Sequence, residues 1–294
     1  MRNVLISHND LDGVGCGVVA REHFNGDIAI YFCDIKGIDE RTIEILNENP
    51  DVKQLFITDI TPKLQSTLDY IDTLDAKVIL LDHHETSMKT YDNLVITNNM
   101  LCQFDMSRCG TKMLSDYLGE LNDFAMIVDD YDRFQLKHKE SIELNQLFGL
   151  YGEQEFFNRC NSLLAAYYRI ELPTSVEESY LECIHMENDK YIQGKIKSIK
   201  PIEVMGKSIA LIYGDRLVSM IAKKMREDKL KYDYVAMVMN GSTVSLRAIA
   251  DDAHCGNFAK QLNKLGGGHA GAGGYQVNDK NSEEILKLIF SNQD

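Results

Sequence analysis

Three short apolar runs near the start of this chain each stop at an acidic or histidine-rich cluster, and that placement limits the fold more than any other feature. Asn3-Val4-Leu5-Ile6-Ser7 leads into His8-Asn9-Asp10-Leu11-Asp12-Gly13. Gln54-Leu55-Phe56-Ile57-Thr58 leads into Asp59, and Lys77 to Leu81 leads into Asp82-His83-His84. Short, nearly continuous apolar runs that end in polar turns read as buried parallel strands. Further strands are expected at Ile28 to Cys33 and Leu94 to Thr97. Helical patterns over Val14 to Phe24, Asp39 to Asn47 and Pro62 to Leu74 lie between them, the last with Pro in its first turn. The alternation predicts an α/β fold whose N-terminal part is a doubly wound parallel sheet. Right-handed crossovers put the carboxyl ends of all such strands along one edge, so the three clusters converge on one crevice.

From about 110 to 165 the pattern is mostly helical, and the apolar run Phe124 to Val128 ends in a fourth cluster, Asp129-Asp130-Tyr131-Asp132. Residues 175–200 are polar and helix-periodic and read as a connecting helix that Pro201 ends. A second cycle follows, with strands at Ile202–Met205, Ser208–Tyr213, Tyr234–Met239 and Thr243–Ala248 and helices near 216–229, 255–264 and 282–290. The expected organisation is a catalytic domain at 1–174, the helix at 175–200 and a smaller α/β domain at 201–294.

Charge divides along the same line. The chain carries 31 Lys+Arg against 45 Asp+Glu, a net −14; residues 1–194 hold 16 and 34 of these, residues 195–294 hold 15 and 11. Binding long duplex nucleic acid needs a basic face, which argues against such a partner. No apolar run reaches the roughly 18 residues of a membrane span, and Met1-Arg2-Asn3 leads straight into a strand-like run rather than a signal sequence. Seven cysteines without CxxC spacing read as reduced thiols in a cytoplasmic protein, a monomer or homodimer. Cys16, on the first helix near the crevice, reads as packing.

The predicted crevice holds His8, Asp10, Asp12, Asp59, Asp82, His83, His84 and at least one of Asp129, Asp130 and Asp132. So many carboxylates repel one another unless cations join them. Imidazole and carboxylate donors without cysteine suit Mn²⁺ or a similar ion. The donors outnumber one ion's needs, so two divalent ions sharing a bridging carboxylate, a phosphoryl-hydrolysis arrangement, are expected. In the second half, residues 266–274 hold six glycines in nine positions around His269. Gly266, Gly267, Gly268 and His269, with Arg247 on a predicted strand, read as a phosphate- or nucleotide-binding segment, the bland alternative being a glycine-rich turn.

These motifs, in this order and over nearly the whole chain, resemble the DHH phosphoesterase superfamily with its DHH-associated C-terminal domain. The resemblance implies that His8, Asp10 and Asp59 hold one Mn²⁺. Asp12, Asp59, His83 and a fourth-motif aspartate hold the other, with Asp59 bridging. It also implies that His84 contacts the scissile phosphate, Asp82 orients the histidines, and Arg247 and His269 bind the substrate's end. Family members often carry a single aspartate followed by Thr-Gly in the fourth motif; here Asp130 is the assigned ligand, with Asp132 the alternative. The opening motif is most similar to the NrnB-type oligoribonuclease (nanoRNase) branch. The implied activity is Mn²⁺-dependent exonucleolytic hydrolysis of short oligoribonucleotides to nucleoside 5′-monophosphates. The alternatives are a cyclic or linear dinucleotide phosphodiesterase and a 3′-phosphoadenosine 5′-phosphate phosphatase.

Overall fold

The computed structural model describes residues 2–96, 99–167, 174–240, 242–268 and 270–277. The chain divides into two compact units, Met1–Leu181 and Glu182–Asp294. In the first, β1 (Arg2–His8), α1 (Leu11–His23), β2 (Ala29–Cys33), α2 (Ile38–Glu48), β3 (Val52–Thr58), α3 (Gln65–Asp72), β4 (Lys77–Asp82), α4 (Glu85–Tyr91) and β5 (Met100–Phe104) alternate. All five strands are parallel, in the order β2-β1-β3-β4-β5. The order reverses between β1 and β3, where a doubly wound sheet opens a crevice at its carboxyl edge.

Both faces of this sheet are covered, which is why its strands lack polar alternation. Val4, Ile6, Leu55, Ile57, Val78 and Leu80 face one apolar layer with α2 and α3. Leu5, Phe56, Ile79 and Leu81 face the other, built on α1, α5 (Gly110–Leu118), α6 (Asn122–Asp132) and α7 (Lys139–Tyr167). Two expected elements differ. Helix α3 begins at Gln65, after Pro62, because buried Asp39 accepts the backbone N–H groups of Lys63 (2.9 Å) and Leu64 (3.0 Å) and keeps the chain extended up to Leu64. The fifth strand is Met100–Phe104. Leu94–Ile96 belong to no strand and Thr97 lies outside the described residues; Met100 takes the ladder position beside Val78, while Val95 bonds the Gln65 side chain (2.8 Å).

Helix α8 (Ser175–Lys197) contains the boundary between the units. The second unit comprises β6 (Lys200–Val204), β7 (Lys207–Tyr213), α9 (Val218–Glu227), β8 (Tyr234–Met239), β9 (Thr243–Ala248), α10 (Cys255–Leu262), β10 (Gly267–Gly268) and β11 (Ala272–Gln276). Its mixed sheet runs β10-β11-β9-β8-β7-β6, with β7 and β8 parallel. Helix α9 packs Val218, Ile221 and Met225 against Ala210, Ile212, Val235 and Met237; α10 packs Phe258 and Leu262 on the opposite face. The helix expected near 282–290 lies outside the described residues. No described helix is long and apolar enough to cross a membrane.

Candidate metal centre

The first motif is built by capping. Asp10 is the N-cap of α1, its Oδ1 accepting the backbone N–H of Gly13 at 3.0 Å. Gly13 lets α1 start this close to β1, because a Cβ there would stand 2.1 Å from the His8 carbonyl oxygen. Asp12, in the first turn, is buried against the N-terminus of α5. Its Oδ2 accepts the N–H of Gly110 (2.6 Å) and its Oδ1 that of Thr111 (2.8 Å), while the Thr111 hydroxyl donates to the Asp12 carbonyl (2.5 Å). Helix N-terminal amides fix a carboxylate well, through charge-assisted bonds and the helix dipole.

Asp59, directly after β3, is buried and takes left-handed backbone geometry (φ 58°), which Asp tolerates better than most side chains. Its N–H still donates to the Leu81 carbonyl (3.0 Å), so the turn remains tied to β4. Asp82 closes β4. Its Oδ1 accepts the N–H groups of His83 (2.7 Å) and His84 (3.0 Å) and the Nδ1–H of His84 (2.7 Å).

These turns gather donor atoms into overlapping groups: His8, Asp10 and Asp59; Asp12, His83 and Asp132; and Asp59, Asp82, His83 and His84. Asp59 joins the first to the rest. Its Oδ2 lies 3.8 Å from His8 Nδ1, and its Oδ1 lies 3.1 Å from His83 Nε2. His83 Nε2 is also 3.6 Å from Asp12 Oδ2 and 3.7 Å from Asp132 Oδ2. His8 Nδ1 and Asp59 Oδ2 are buried without a hydrogen bond, although Asp10 Oδ2 is only 2.9 Å from the former. Imidazole nitrogens and carboxylate oxygens converging within 4.8 Å of one another in each group are arranged as ligands are around an ion.

Crowding shows in the titration of the carboxyls. Burial, with Asp12 and Asp10 nearby, pushes Asp59 well above the usual range and Asp132 up to about 8. Burial also lowers the His83 imidazole. Carboxyls raised in the folded state contribute stability in full below the ordinary carboxyl range, and that contribution is lost as pH rises toward the folded value. Chelator-treated protein is therefore expected to lose thermal stability from about pH 5 to about pH 8, and added Mn²⁺ to raise the melting temperature more at the upper end. Calorimetry of both forms across that range checks this; an equal Mn²⁺ effect at every pH contradicts it.

In the fourth motif the three aspartates point different ways. Asp130 is turned away from the cluster: Oδ1 accepts the N–H of Lys137 (3.0 Å), and Oδ2 accepts the N–H of His138 (3.1 Å) and the hydroxyl of Ser141 (2.7 Å). It staples the turn from α6 into α7. Asp129 accepts the N–H of Cys109 (2.7 Å). Asp132, the weighed alternative, faces His83. Sequence reasoning missed Gly110 and Thr111 altogether. A Cβ on Gly110 would meet Asp59 Cβ at 2.7 Å and Asp12 Oδ2 at 3.1 Å. The available signal was a Gly-Thr pair opening a helical run just after a strand. Gly110→Ala is expected to cost about 1–3 kcal/mol of stability and to weaken Mn²⁺ binding; thermal melts and Mn²⁺ titration read the two effects.

Other candidates settle simply. Cys16 is fully buried and its thiol is pushed up by burial, which agrees with packing. In the second unit, Arg247 on β9 is half-buried and donates to the Ser219 hydroxyl (2.8 Å), the Ser245 hydroxyl (3.0 Å) and the Leu246 carbonyl (2.8 Å). The glycine-rich segment forms the β10–β11 hairpin. Backbone packing accounts for four of its glycines: a Cβ would stand 2.2 Å from the Ala259 carbonyl oxygen at Gly266, 2.3 Å from that of Ala272 at Gly268, 2.8 Å from that of Gly267 at Gly273 and 2.6 Å from that of Val244 at Gly274. Gly267 has open space around its Cα, and His269 lies outside the described residues.

No family model matches the chain. It is 28% identical to the oligoribonuclease NrnB of Bacillus subtilis (strain 168), over 97% of this chain and 75% of that protein. The pGpG-specific phosphodiesterase PggH of Vibrio cholerae has a similar structure, with a TM-score of 0.58 at 15% identity, covering 99% of this chain and 98% of that one. RecJ of Thermus thermophilus in complex with Mn²⁺ gives a TM-score of 0.50 at 13% identity, covering 100% of this chain and 52% of that one. The fold is the one this chain shares with PggH and RecJ.

Proposed function

We propose that this chain is a divalent-metal-dependent phosphodiesterase that degrades short oligoribonucleotides to nucleoside 5′-monophosphates. The observation that carries the reading is Asp59, a buried carboxylate at the switch point of the sheet shared by two groups of unsatisfied or repelling donors. The likeness to NrnB supports the substrate class.

The donor set fits two hard or borderline divalent ions, for which Mn²⁺ is our choice. His8, Asp10 and Asp59 would hold one; Asp12, Asp59, His83 and Asp132 would hold the other. Such a pair supplies a lowered water pKa and neutralises charge on a phosphate undergoing in-line attack. The remaining groups orient and donate. Asp82 binds His84 Nδ1–H, which leaves Nε2 of this half-exposed ring free to donate to a phosphate oxygen. The same bond raises the imidazole's pKa and favours its donor form. Asp82 is thus a positioning residue. Arg247, whose anchored guanidinium has hydroxyl and carbonyl partners rather than a carboxylate in its hydrogen bonds, is the candidate for a second phosphate contact.

A linear dinucleotide such as pGpG is the second reading, favoured by the fold shared with PggH. Incubation with Mn²⁺ and a 5′-labelled RNA series from dimer to pentamer, with pGpG and 3′-phosphoadenosine 5′-phosphate in parallel, tests the proposal. Release of nucleoside 5′-monophosphates from the RNA series is expected. Folded, Mn²⁺-loaded protein that releases none contradicts it.

A further inference from the structure

The second unit carries a groove of about 660 Å³ on α8 and the segment that leads into α9, lined by Glu187, Lys190, Tyr191, Lys195 and Arg216. The groove is built around Tyr191. Its hydroxyl donates to Asp215 Oδ1 (2.7 Å) and accepts the Asp215 N–H (3.2 Å). Gly214 makes room for it, since a Cβ there would stand 2.7 Å from that hydroxyl. Lys195 Nζ and Arg216 Cζ each lie 5.0 Å from the Tyr191 ring centroid, so an aromatic platform holds two cations in place. Lys195 is further tied by its Nζ to the Tyr213 carbonyl (2.5 Å). Three cations face two carboxylates, Glu187 and the Asp215 that Tyr191 holds, so the groove keeps a net positive charge in an acidic protein.

Its position within the unit gives it a use. Arg216 precedes α9, whose first turn carries no side-chain cap, because Leu217 at the N-cap offers none. Ser219, in that first turn, holds Arg247. The candidate phosphate contact and the basic groove thus both adjoin the start of one helix, Arg216 just before it and Arg247 through Ser219, where amides already favour anions. We infer that the Lys190–Lys195–Arg216 groove is a phosphodiester track, taking the phosphates of an oligonucleotide beyond the one at Arg247. This rests on the proposed oligonucleotide substrate and deepens it: the track would make affinity grow with chain length beyond a dimer.

The test is fluorescence anisotropy of labelled RNA dimer and pentamer with chelator-treated protein, so that binding is read without turnover. Lys190→Ala/Arg216→Ala protein is compared with wild type after melting curves show both folded. The double variant is expected to bind the pentamer about tenfold more weakly and to lower the slope of log affinity against log salt by one to two, about one per lost phosphate contact. The dimer is the short reference and should lose much less. Unchanged pentamer affinity and slope overturn the track, as does an equal loss for dimer and pentamer. Failure of the catalytic reading appears separately, as wild-type protein that binds RNA but releases no mononucleotide with Mn²⁺.

Discussion

Asp59→Ala is expected to lower kcat on an RNA dimer by at least about 10³-fold, because charge stabilisation at phosphorus and ion binding fail together. Among the described residues, Asp59 is the one carboxylate within reach of both His8 (3.8 Å) and His83 (3.1 Å), so its loss breaks both donor groups. Mn²⁺ titration should show both binding events weakened. The fold is not expected to suffer without metal: Asp59 is buried among Asp12 and Asp10 and disfavours the charged state there. Removing it from chelator-treated protein should therefore hold or raise the melting temperature near neutral pH. Wild-type turnover in this variant would show that Asp59 is no shared ligand.

The second large effect separates two neighbours on α6. Asp132→Asn is expected to weaken Mn²⁺ binding by at least about 10- to 100-fold, a loss that even indirect partners of ligands produce, and to cut turnover in step. Asp130→Asn is expected to spare the metal and cost stability. It removes the charge from a carboxylate that holds two backbone amides and a hydroxyl, worth about 1–3 kcal/mol. In a unit of this size that lowers the melting temperature by several degrees. Thermal melts and Mn²⁺ titration of both variants read the contrast. Reversed outcomes would restore Asp130 as the ligand.

That contrast shows where the sequence was legible. Acidic clusters at the ends of β1, β3 and β4 could be placed together because a parallel sheet leaves its carboxyl ends no choice of edge. Asp129, Asp130 and Asp132 lie on one helix, and their directions depend on how α6 rotates against α1 and α5. Burial of Phe124, Ala125 and Val128 sets that rotation, which no local spacing states. Gly110 and Thr111 stayed hidden for the same reason: they act on Asp12 from 98 and 99 residues away. Local propensity also misled at the fifth strand, where Leu94 to Thr97 looks more strand-like than Met100–Phe104. Tertiary pairing with β4 decides the matter. The glycines after α10 drew attention as a ligand loop, yet Gly266 and Gly268 are already required by backbone that passes within 2.2 and 2.3 Å of a Cβ.

The most direct test of the central claim follows turnover of an RNA dimer while Mn²⁺ is returned to chelator-treated protein, with bound metal counted in parallel. The account predicts no mononucleotide release without metal, two bound ions at saturation, and turnover that rises with occupancy of the second site. Full turnover by the metal-free protein, or saturation at two ions with no release of nucleoside 5′-monophosphate, would contradict it.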